Sequence, residues 1–178
     1  SAMRQLTNRN EFALLCNEME LVEAVEVGVD QGCFAEAFLS MWKGNTLWCV
    51  DPWEPYPEMP WDRTADMMST VVRLAKFGWH AKIVKHKSPD IISLLPVGRR
   101  IDFVYVDGQH DYGHVWNDIM CWYDKLAPGG VLAGHDYDPA TPDVVKAVDD
   151  FCKNLQLELY VVPACKFAPS WYFQKPKD

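Results

Sequence analysis

The sequence predicts an α/β fold, a mostly parallel sheet with helices on both faces. Two observations predict it. Short valine-rich runs alternate with helical-period segments along nearly the whole chain, as buried parallel strands and their crossover helices do. The last two apolar runs are joined by a short link carrying Pro163 and Pro169, which suits an antiparallel pair better than a helical crossover. The chain has 178 residues, enough for one domain that buries about 70% of its unfolded surface. Ser1-Ala2 before Met3 reads as a cloning remnant and a start methionine, leaving residues 4–178 as a single domain.

The elements follow in order. A first helix is expected around Phe12, Leu14 and Leu15. Val22–Val29 is a buried strand, and Phe34, Phe38 and Met41 then recur at helical spacing. Thr46–Val50 is the second strand. Pro52, Pro55, Pro57 and Pro60 forbid regular structure after it. Met67, Val71 and Leu74 mark another helix, Ala81–Val84 a third strand, and Ile91–Leu95 a short helix stopped by Pro96. Ile101–Val106 is the clearest strand, and Val115, Ile119, Trp122 and Leu126 give one face of a long helix. Pro128-Gly129 predicts a type II turn before the strand Val131–Ala133. Thr141 is placed to cap a helix that has Pro142 at its first position and Val145, Val148, Cys152 and Leu155 on its stripe. Leu157–Val162 and Ser170–Gln174 are the final strands.

Composition excludes several functions. Lys plus Arg is 17 and Asp plus Glu is 25, a net charge of −8, so the chain lacks the basic footprint of a nucleic-acid binder. No apolar run approaches the roughly 18 residues of a membrane span, and the N-terminus has no secretory leader pattern. Six cysteines occur with no C-x-x-C pair, which reads as buried, reduced thiols in a cytoplasmic protein.

Chemistry-bearing residues fall at strand ends, where open α/β sheets bind ligands. Glu26-Val-Gly28-Val-Asp30-Gln-Gly32 leaves the first strand, and its glycines let the chain turn tightly and a ligand approach. It lacks the third glycine of the dinucleotide fingerprint, and Asp30 would repel a pyrophosphate, so a cationic or zwitterionic ligand fits better. Asp51 ends the second strand, 19 residues after Gly32, where an acid can accept from both hydroxyls of a ribose. Asp107-Gly-Gln-His110-Asp-Tyr112 and Gly134-His135-Asp136-Tyr137 follow consecutive strands. Two carboxylates and two imidazoles there can bind a metal or move a proton. The loop from Trp53 to Trp61 is either a lid over an acceptor or a stiff surface loop.

The run Ile101–Tyr112, followed by Leu126-Ala-Pro-Gly-Gly-Val-Leu-Ala-Gly-His135-Asp136-Tyr137, resembles the class I S-adenosylmethionine-dependent methyltransferases. More narrowly it resembles the small-molecule O-methyltransferases that include macrocin-type sugar methyltransferases and cephalosporin hydroxylase-like proteins. The resemblance covers roughly Val22 to Tyr137 and implies a Rossmann-like three-layer sandwich, seven strands with an antiparallel last one. It implies that Glu26, Gly28, Asp30 and Gly32 shape the methionine pocket and that Asp51, with Pro52 and Trp53, holds the ribose. It puts Ser88 beside the adenine, with Lys87 where relatives have an acid. It assigns Asp107 to cofactor, catalysis and metal, Asp136 to a divalent cation such as magnesium or manganese, and His110 to the catalytic base. His135 is the nearest third ligand. The expected reaction is methyl transfer to a hydroxyl of a small molecule, a sugar or a phenol, by a protein whose default homo-oligomer is a two-fold dimer. A nicotinamide oxidoreductase and a non-catalytic binding protein are the alternatives.

Overall fold

The computed structural model describes residues 3–96, 98–164 and 167–178. Ser1, Ala2 and Cys165, which the sequence reading invoked, lie outside the described residues. The elements are α1 (Phe12–Glu18), β1 (Glu23–Val27), α2 (Cys33–Met41), β2 (Thr46–Asp51), α3 (Thr64–Leu74), β3 (Ala81–Lys85), α4 (Ser88–Ile91), β4 (Ile101–Val106), α5 (Tyr112–Lys125), β5 (Leu126–Gly134), α6 (Pro142–Leu155), β6 (Tyr160–Val162) and β7 (Ser170–Gln174). One seven-stranded sheet runs in the order β3-β2-β1-β4-β5-β7-β6. β7 pairs antiparallel with both its neighbours, and the pairings from β3 to β5 are parallel.

Strand alternation sends residues to two apolar layers. Phe103 and Tyr105 of β4 join Phe12, Phe34 and Phe38 on one face. Val104 and Val106 join Ile119, Trp122, Val148 and Phe151 on the other. Both faces are therefore covered, as a parallel sheet requires. Trp122 and Trp171 are core residues.

Several sequence expectations shift. The Pro128-Gly129 turn is absorbed into β5 as an irregularity of its pairing with β4, and Gly129 has φ +81°. Thr141 does precede α6, but its hydroxyl donates to the Asp136 and Asp138 carbonyls rather than capping the helix. The buried stripe of α6 is Val144, Ala147, Val148, Phe151 and Cys152, with Leu155 exposed. On α3 the buried residues are Thr70 and Leu74, and Val71 faces solvent. Among the cysteines described, Cys16, Cys49 and Cys152 are buried free thiols, Cys121 is half-buried, and Cys33 is exposed.

The strand register positions the site. Val27 lies beside Val50 and Val106, and Val106 beside Gly134. The residues that follow, Gly28, Asp51, Asp107 and His135, therefore emerge side by side at one edge of the sheet. No helix among the described residues is long and apolar enough to cross a membrane.

Candidate active site

A cavity of about 780 Å³ opens over these strand ends. Its floor begins at the glycine loop. Gly28 has φ +84°, and its N–H donates to Val50 O at 2.9 Å. A Cβ at Gly28 would collide with the Asp107 carbonyl, so two strand-end loops pass each other through the missing side chain. Gly32, with φ +82°, starts α2 and faces Thr70 of α3 rather than the cavity. Its glycine therefore serves a turn and a helix contact, not the ligand approach expected of it.

Asp51 is nearly buried and ties this end together. Its Oδ2 accepts from the N–H of Val29 and of Asp30, both at 2.9 Å, and its Oδ1 accepts from Trp53 N–H at 2.8 Å. A carboxylate offers about four acceptor positions, so one on Oδ1 stays open toward the cavity. Pro52 lines the cavity, whereas Trp53 is buried behind it. The Trp53 indole N–H donates to the Asp30 carbonyl at 2.8 Å. Trp53 at φ +44° and Asp30 at φ +55° are in the left-handed region, which non-glycine residues occupy at a cost.

Asp30 itself corrects the electrostatic expectation. Its carboxylate faces the buried Arg63 at 2.7 Å, and Arg63 also holds Asp66 at 2.6 Å. The acid that would repel an anionic ligand is thus paired from outside the loop. Glu26 is buried with Oε2 lacking a hydrogen-bond partner among the described residues. Burial, reinforced by the charges of Asp107 and Asp51, pushes its carboxyl well above the usual range.

At the other end the groups are side chains facing side chains. His110 Nε2 lies 2.7 Å from Asp136 Oδ2, and His110 Nδ1 lies 2.6 Å from Glu58 Oε2. The His110 backbone N–H donates to the second Glu58 oxygen at 3.1 Å. His135 Nδ1 sits 3.3 Å from Asp136 Oδ2 and 3.7 Å from Asp107 Oδ1. The hydrogen bond to Asp136 pushes His110 up to about 9. For His135 burial acts downward, but the bonds to Asp107 and Asp136 outweigh it and raise it to about 9. Burial pushes Asp107 up to about 6, partly offset by His135. Burial also acts upward on Asp136, but the two histidines overcome it and hold its carboxyl far below the usual range. Asp136 has φ +63°, a strained backbone at the centre of the cluster.

Asp107, His110 and Asp136 each offer one ligand atom, and the three lie within 4.8 Å of one another. The expected set was Asp107, Asp136 and His135; it is His110 that completes this cluster. Glu58 comes from the proline-rich loop. Tyr56 and Met59 exchange backbone hydrogen bonds of 3.1 and 2.8 Å and close it into a tight turn with Glu58 in the bend. The loop therefore brings Glu58 against the cluster. Ser88 lies at the far wall, where its Oγ accepts from Trp122 Nε1–H at 2.7 Å. Sequence reading missed Glu58, Arg63 and Asp118, because an isolated acid or arginine in a loop or helix carries no pattern of its own.

Fold and site define a class: an α/β protein with its ligand cavity over parallel strand ends, a glycine loop and an acid at the second strand. The chain matches the methyltransferase-domain family over residues 25–137, and it belongs to that family. By family it carries a methyltransferase domain, and its seven-stranded, mostly parallel sheet is Rossmann-like. An uncharacterised protein of Acanthamoeba polyphaga mimivirus is 33% identical over 95 residues, 48% of this chain and 42% of that protein, so the match spans less than half of the relative. The O-methyltransferase TomG from Streptomyces achromogenes, solved with SAM, superposes with a TM-score of 0.69 at 16% identity, covering 94% of this chain and 79% of that one. Cofactor-bound Rv0187 from MTB gives 0.71 at 13% identity, covering 96% and 79%. At these identities the two structures share the fold.

Proposed function

We propose that the chain transfers a methyl group from S-adenosylmethionine to a hydroxyl of a small molecule, of sugar or phenol type. The observation that carries this reading is His110, held on one side by the Glu58 carboxylate and turned on the other toward Asp136, at the cavity floor. The cofactor supplies an already activated methyl group, so the protein has to align an oxygen with it and remove a proton. With Glu58 and Asp136 both facing it, His110 carries a proton on each nitrogen below about 9; it acts as a base once the Nε2 proton is lost, while Glu58 keeps the one on Nδ1. Tyr56 and Met59 wall the same cavity and give it apolar surface to pack a ring.

Asp107 and Asp136 fit a divalent cation. They present oxygen ligands, and the positive charge they need is at present carried by two raised histidines. Asp107 and Asp136, with an imidazole as third ligand, would hold it; when bound it lowers the pKa of an acceptor hydroxyl. An imidazole in the set favours manganese, iron or zinc over magnesium. Among the described residues, the buried free thiols Cys16, Cys49 and Cys152 support a reducing, cytoplasmic setting.

The test is formation of S-adenosylhomocysteine with sugar and phenol acceptors, before and after chelation and with magnesium or manganese returned. Hydroxyl-dependent turnover, lowered by chelation and restored by metal, is the expected result. Turnover confined to amine acceptors overturns the acceptor class, and full activity in metal-free protein removes the cation.

A further inference from the structure

The buried face of α5 carries one residue out of keeping with its neighbours. Val115, Ile119 and Trp122 are apolar, yet Asp118 sits among them at 7% exposure. A carboxylate on an apolar helix face costs desolvation, and burial accordingly pushes Asp118 up to about 6. Neither the proton-transfer cluster nor the glycine loop uses it. It lines the cavity at the end formed by Lys87, Ser88, Pro89 and Asn117. It also reaches the end of β4, since a Cβ on Gly108 would lie 3.4 Å from Asp118 Oδ2.

Its hydrogen-bond partner fixes its polarity. An indole N–H can only donate, so the Trp122 bond to Ser88 Oγ uses that oxygen as acceptor. The single Ser88 hydroxyl proton then goes to the Asp118 carboxylate. Asp118 is left with further lone pairs, and only a donor can use them.

The sheet order says which part of the cofactor arrives there. Asp51, on β2, stands between β3 and β1, while the proton-transfer cluster lies beyond β4 and β5. With the ribose against Asp51, the sulfonium has to point toward β4 and the base toward β3. The wall after β3 contains Lys87, which cannot accept from an amine, and Asp90, which is exposed to solvent; Asp118 faces the same space from the buried face of α5.

We propose that Asp118 is the specificity-determining residue for the cofactor's base: its carboxylate accepts a hydrogen bond from the exocyclic amine of adenine, with Trp122 and Ser88 holding it as an acceptor. This rests on the S-adenosylmethionine reading above. A base with a carbonyl in place of that amine would set oxygen against oxygen.

Calorimetric titration with S-adenosylhomocysteine and S-inosylhomocysteine tests it on the wild type, Asp118→Asn and Ser88→Ala. The wild type is expected to prefer the adenosyl compound by about tenfold or more, as buried polar sites do for the partner they were built to bond. In Asp118→Asn the Ser88 proton draws the amide oxygen, the amide N–H₂ turns to the base, and the preference narrows or reverses. Ser88→Ala, which frees the polarity, should narrow it less. A wild type that binds both compounds within threefold overturns the inference, whatever the variants do. So does an Asp118→Asn protein of unchanged melting temperature that keeps the adenosyl preference. If the wild type binds neither compound, the cofactor reading itself fails, and the inference fails with it.

Discussion

Asp51 and Asp107 stand on either side of β1, both at strand ends and both facing one cavity, yet they are held in different ways. Asp51 is surrounded by backbone: three amide N–H groups from the glycine loop and its own turn converge on it. Asp107 is surrounded by side chains, with His135 beside it and His110 and Asp136 completing the cluster. Backbone amides move only if the strands move, so the Asp51 end is preorganised. Side chains from separate loops meet only when every loop is in place, and each can shift its neighbour's proton. One end is thus built to hold a ligand and the other to change protonation.

The largest break in that comparison is at the contact between the two ends. Gly28→Ala drives a Cβ into the Asp107 carbonyl at a left-handed φ. Loss of about 4 kcal/mol or more is expected, with cofactor binding abolished, measurable by denaturant unfolding and calorimetry. An alanine protein of normal stability would show that the loops separate easily.

His110→Ala strikes the proton-transfer end alone. Methyl transfer to a verified acceptor should fall about 10²–10⁴-fold while cofactor affinity stays within a few-fold. Normal turnover would move the base elsewhere, and His135 would be the first candidate.

Asp51→Ala strikes the backbone end alone. Hydrogen bonds to a charged group contribute about 1.5–3 kcal/mol each, so cofactor affinity and melting temperature should fall together. Unchanged affinity would remove Asp51 from the ribose site and leave it a loop tie.

The smallest effect is a titration. In metal-free protein His110 should titrate by NMR near 9, and Asp136→Asn should return it toward 6.5. A histidine raised on folding stabilises fully below its unfolded pKa and loses that contribution as pH rises through the folded one. Unfolding free energy should therefore decline between about pH 6.5 and 9, by about 1–2 kcal/mol once solvent screening of the partly exposed ring is allowed for. A flat profile would show that Asp136 does not grip His110 in solution.

The sheet was legible in the sequence because its causes are local and periodic. Buried parallel strands need apolar β-formers in short runs, and β4 was recognisable from Ile101 to Val106 for that reason. The two acids that end strands, Asp51 and Asp107, and the glycine at Gly28 were legible because a strand end is itself a local feature. Other assignments depended on neighbours far along the chain. Pattern makes Gly32 a ligand contact, but Thr70 faces it; pattern makes Asp30 a charge that repels a pyrophosphate, but Arg63 pairs with it. Glu58 reaches His110 across 52 residues, and Asp118 reaches Ser88 across the gap between two helices. The sequence by itself determined the alternation, the strand ends and the chemistry available there. The tertiary structure decided which charges neutralise one another and which face the cavity, because an electrostatic partner is chosen by distance in space and leaves no periodic trace in the chain.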